Sequence, residues 1–146
     1  MAVDMAREQK VWNRVTATIS GGQSREELRI LLINAGELMD LIHDLAGKVS
    51  RGRELIKQIQ QQEQANLRSL KGMLVFAGQE VNFSSRKATP APVKQSLIRG
   101  YYLAKKAAVE YTARSVDPEF GVIYQEMAAR EIQICNLIIR LLGEIF

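Results

Sequence analysis

Two carboxylates and an amide stand where leucines belong. Ile56, Ile59, Glu63, Asn66, Leu70 and Met73 recur at steps of 3, 4, 3, 4 and 3. That is the inward stripe of a bundle helix, and Glu63 and Asn66 occupy its middle. Nearer the C-terminus, Ile123, Met127, Glu131, Ile134, Ile138, Leu141 and Ile145 repeat the pattern, with Glu131 in mid-stripe. A looser line, Ile30, Ile33, Glu37 and Leu41, places a third carboxylate similarly. A buried ionised carboxylate is costly unless something compensates it. Three aimed at one centre require metal ions, positive partners or protons. The candidate chemistry is therefore the binding of cations or protons by these carboxylates. The alternative is a neutralised carboxylate layer with a structural role, for which Arg68 and Arg130 are candidate partners.

The elements that must position these residues are punctuated by glycine and proline. Ser24 followed by Glu27 has the form of a capping box and predicts a helix from about residue 25 to 49. "SRGR" at 50–53 is a turn, and a second helix covers about 54–77. Residues 78–92, with two prolines, form the one long irregular connection. A third helix spans about 93–114, with Leu97, Tyr101, Ala104, Ala108 and Tyr111 as its stripe. "SVDPEF" at 115–120 is a turn, and a fourth helix runs from about 119 to 142. Nothing alternates with a period of two, so no sheet is expected. The two hairpins can be overlaid with an offset of 67–68 residues, which brings Glu63 onto Glu131. Ahead of them, Val11, Trp12, Val15 and Ile19 predict a short amphipathic helix closed by Gly21-Gly22.

Two helix hairpins, each bearing a Glu and then Glu-x-x-His, are the mark of the di-iron carboxylate, ferritin-like and rubrerythrin-like proteins, and residues 24–142 resemble that pattern. The resemblance implies an all-α, ferritin-like four-helix bundle with one long crossover. It also implies that Glu37, Glu63 and Glu131 fall at family ligand positions. Asn66 and Ile134 stand where the family has histidine, and Ala104 where it has a carboxylate. The nitrogen donors that favour iron are gone. The expectation is a non-catalytic or metal-degenerate member, with no cofactor or one weakly held divalent ion.

The chain has 146 residues, 47% of them hydrophobic and 25% charged, enough for one cored domain. The domain reading is an N-terminal helical segment, 1–22, followed by the bundle, 23–146. No apolar run reaches the 18 residues of a membrane span, and the start lacks an apolar signal core, which predicts a cytoplasmic protein. One cysteine, Cys135, excludes an internal disulfide, and one histidine, His43, excludes a site needing two. Both are expected as structural residues, His43 at the surface and Cys135 in the core. From Arg86 to Lys106 there are six basic residues and no acid, expected as a solvated basic face and, as the alternative, a surface for a protein or anionic partner. No aromatic residue interleaves with them in a stacking pattern, so nucleic acid is not expected. The Trp12 segment and the apolar C-terminus predict a homodimer.

Overall fold

Turn chemistry fixes where the helices begin. The computed structural model describes residues 22–78 and 87–146. Within them lie four helices: α1 Gly22–Lys48, α2 Arg53–Phe76, α3 Val93–Ala113 and α4 Gly121–Ile145. No strand occurs among the described residues. The expected helix around Trp12 lies outside them.

Gly52 opens α2 with φ of 71°, a left-handed conformation that suits glycine. A Cβ there would also run into the side chain of Leu141. Before α4, Asp117 Oδ1 accepts from the amides of Glu119 and Phe120, each at 2.8 Å. This satisfies donors that the helix start would otherwise leave open. The helix proper therefore begins at Gly121, two residues later than Pro118 suggests. The described part of α1 begins at Gly22 and includes Ser24 within the helix.

Two apolar clusters run up the bundle. One joins the C-terminal half of α1 (Leu38 to Leu45), the start of α2 (Leu55, Ile56, Ile59), the start of α3 (Leu97, Ala104) and the end of α4 (Ile134 to Leu141). The other joins the start of α1 (Leu28 to Ala35), the end of α2 (Leu67 to Leu74), Tyr111 of α3 and the start of α4 (Phe120 to Ala128). These memberships fix the directions: α2 and α3 run the same way, and α1 and α4 run against them. The α2–α3 connection must therefore travel the length of the bundle. It is pinned on arrival by the Ala88 amide, which donates to Asp40 Oδ2 at 2.8 Å. α1 packs on α2 and α3, and α4 packs on the same two. Gly100 lets α3 lie close in: a Cβ there would sit 3.3 Å from Leu41 and 3.5 Å from Ile138.

The inward stripes of α2 and α4 are as the spacing predicts, with Ile59, Leu70, Met73, Met127, Ile134, Ile138 and Leu141 buried. The line proposed for α1 is corrected. Ile30 is 49% exposed, and α1 turns Leu28, Leu31, Leu32 and Ala35 inward instead. Replacing Asp117 with alanine should remove both cap bonds. The expected loss is about 1 kcal/mol, seen as a fall in Tm of about 2–4 °C. An unchanged melting curve would show that the turn needs no side-chain cap.

Candidate carboxylate layer

Between the two apolar clusters lies a thin polar layer. Glu63 and Asn66 enter it from α2 between Ile59 and Leu67, and Glu131 enters from α4 between Ala128 and Ile134. All three have no solvent exposure. Asn66 Nδ2 donates to Glu131 Oε1 at 3.0 Å and to the Met127 carbonyl at 3.1 Å. Its Oδ1 accepts from Arg130 at 3.2 Å. Arg130 is itself partly exposed and reaches Glu126 at 4.0 Å, so it ties the buried amide to the surface.

The two carboxyl groups lie within hydrogen-bonding reach of each other. Two carboxylates cannot bond, because neither has a donor. If both were ionised, Glu63 Oε1 and Oε2 and Glu131 Oε2 would be buried with no hydrogen-bond partner among the described residues. A proton on Glu63 relieves most of this, because its hydroxyl then donates to Glu131 and a single Glu63 oxygen is left without a partner. Burial holds the Glu63 carboxyl well above its ordinary value of 4.5, and the Glu131 charge raises it further. Burial also pushes Glu131 up, to about 7, against the hydrogen bonds from Glu63 and Asn66. Above about pH 7 the pair holds one proton, with Glu131 the member that ionises. Burial raises Tyr111 as well, followed by the field of the two carboxyls.

Glu37 is buried but is held elsewhere. Arg99 of α3 donates to its Oε1 at 3.4 Å. Glu37, Arg99, Lys106, Glu110 and Glu131 border one cleft of about 150 Å³ between α1, α3 and α4. Small residues of α3 make the room, with Ala107 in the cleft wall and Ala104 and Ala108 buried on either side. No three His, Cys, Asp or Glu side chains among the described residues are grouped to hold a metal ion.

Of the residues singled out by sequence, Glu63, Asn66 and Glu131 come together, and Glu37 joins them only through the cleft. Arg130 is a partner of the layer, while Arg68 is exposed. Arg99 is the member that stripe reading missed, since it belongs to the basic run and lies on no inward line. His43 is exposed and Cys135 is buried. The basic run is divided. Arg99 and Lys106 face the cleft, whereas Lys94 lies over the Phe146 ring and Lys105 over Tyr101.

No known family model, curated protein or solved structure matches the chain.

The unfolded chain ionises a glutamate above about 4.5, while folded Glu131 keeps its proton to about 7. Its contribution to stability is therefore full below 4.5, falls as pH rises to 7 and stays lost above. The ionisation cost is about 3 kcal/mol. Glu131→Gln should raise Tm at pH 8 by about 5–10 °C and leave it little changed at pH 5. Thermal denaturation at both pH values checks this, and a shift of equal size at both would show that proton uptake is not the cause.

Proposed function

We propose that the chain is a ferritin-like bundle in which the carboxylate layer stores a shared proton in place of two metal ions, and that it works as a non-catalytic helical scaffold. The carrying observation is the orientation of Asn66. Its amide NH₂ faces Glu131, and its oxygen accepts from Arg130. The residue at the Glu-x-x-His position thus offers the layer donors rather than a lone pair. A metal ligand must do the reverse. The chain direction supports the ferritin-like part of this reading: two antiparallel hairpins, a long return, and one glutamate on each of α2 and α4 meeting at the centre.

A di-metal centre does not fit these residues. Glu37 is tied to Arg99, Ala104 and Ile134 carry no ligand atom, and His43 lies on the outside of α1. A second reading, one weakly held hard cation, is favoured by a different observation. Three carboxyl oxygens of Glu63 and Glu131 are buried without a hydrogen-bond partner among the described residues when both groups are charged. A divalent cation would meet all three, as a proton meets fewer.

Metal loading separates the readings. Protein purified without chelator and given ferrous iron in air should retain fewer than two irons per chain and develop no oxo-bridge absorption in the near ultraviolet. Two irons per chain would overturn the proposal. Millimolar manganese or calcium should leave Tm unchanged. A rise that grows with the logarithm of metal concentration and vanishes in Glu131→Gln would favour the single-cation reading instead.

A further inference from the structure

The outer face of α4 is apolar where the bundle makes no use of it. Val122, Gln125, Ala129, Ile132, Asn136, Ile139 and Gly143 recur at steps of 3, 4, 3, 4, 3 and 4, and all are exposed. Val122 is 69% exposed and Ile132 and Ile139 54% each. This is a seven-residue repeat without a charge, the pattern of a helix–helix seam. On α3, Ile98 and Val109 are exposed as well, and so is Tyr102, which lines the cleft toward α1. The matching helix of the other hairpin behaves differently. At the same spacing α2 exposes Glu54, Lys57, Gln61, Arg68 and Lys71, with one apolar residue, Val75, at its end.

We propose that this α3–α4 face docks a second copy of the same chain, with α4 antiparallel to the partner's α4 about a twofold axis at Gln133.

Charge selects both the occupant and the direction. Glu126 and Arg140 are exposed, lie on one edge of the seam, and stand seven residues before and seven after Gln133. Antiparallel docking about Gln133 sets each Glu126 level with Arg140 of the partner subunit. In a parallel seam the same edge of the two helices falls on opposite sides, so neither Glu126 nor Arg140 would meet a charge of the other copy's matching edge. The seam therefore complements itself in one direction only. Shape agrees: the two Ile132 side chains meet beside the axis, and Gly143, where a Cβ would find nothing within 4 Å, leaves room opposite Val122 of the partner subunit. Lys105, held over the Tyr101 ring, lies to the α3 side of the seam.

The area is sufficient. From Val122 to Gly143 the seam is about 32 Å long at 1.5 Å per residue. Two helices about 10 Å apart make the face about 20 Å wide. The flat projection is roughly 600 Å². With side-chain relief this comes near the roughly 800 Å² per partner of a standard interface.

Light scattering on the full chain at micromolar concentration should give twice the 16.4 kDa of one chain. Ile132→Glu/Ile139→Glu should raise the dissociation constant by about 100-fold or more with an unchanged helical circular dichroism spectrum. Glu126→Arg should weaken the dimer, and Glu126→Arg/Arg140→Glu should restore it. Gln133→Cys should join two chains through a short thiol crosslinker, and Gln61→Cys should not. Trp12→Glu should leave the dimer intact. A monomeric wild-type chain would overturn the proposal. So would a dimer indifferent to the isoleucine changes, or one abolished by Trp12→Glu, which would assign the contact to the N-terminal segment.

Discussion

The contact between the Glu63 and Glu131 carboxyls, sealed between two apolar clusters, constrains everything around it. Two like charges at hydrogen-bonding distance in a dry layer cannot both persist. One must hold a proton, and the other must collect donors. Asn66 supplies donors from the same helix as Glu63, three residues on, and Arg130 completes the amide from the neighbouring position to Glu131. The arrangement is compact because each helix contributes a carboxyl and its support within one turn. α3 contributes no charge to the layer, and its alanines leave room for the cleft that Glu131 borders.

That layer also divides the core. The apolar clusters on either side are built from opposite halves of each helix, so each is closed by all four elements. Neither hairpin alone encloses one. The carboxyl pair sits on α2 and α4, one helix from each hairpin, and can form only when the hairpins are docked. Burying the pair opposes stability at neutral pH, yet its hydrogen bonds have a single geometry. Sliding α4 along α2 by one residue would separate Asn66 from Glu131 and leave both unsatisfied. The layer thus specifies the register of two otherwise greasy surfaces.

The four helices and the interior place of Glu63, Asn66 and Glu131 were legible in the sequence, because a period of 3.6 interrupted by charge is a local pattern. α1 was read less well. It is apolar on several sides, so spacing alone let Ile30 pass for a core residue when tertiary contact places Leu28 and Leu31 inward. The Glu37–Arg99 pair was beyond reach for another reason. It joins residues 62 apart on different helices, and Arg99 belongs to a basic run whose members look alike until the fold divides them. Likewise the sequence shows that Asn66 is interior but not which side of its amide faces the carboxylates. That orientation, set by Arg130, separates a ligand from a donor.

α4 is the helix on which interior and exterior meet. Its inner stripe is complete: Met127, Glu131, Ile134, Ile138 and Leu141 are buried, and the core needs nothing more from it. Three further β-branched residues on the opposite side, Val122, Ile132 and Ile139, serve neither helix propensity nor solubility. Scattered exposed apolar residues are ordinary on protein surfaces, but these fall on one line at heptad spacing, and charge returns only at its edge. The other hairpin shows that the bundle does not demand such a face, since α2 carries Glu63 inward and lysine and arginine outward. The hairpins differ inside, where Asn66 stands against Ile134 and Glu37 against Ala104, and they differ again outside. The interior differences build the carboxylate layer, whereas the outward one touches nothing in the core and points to the requirements of assembly rather than to those of folding.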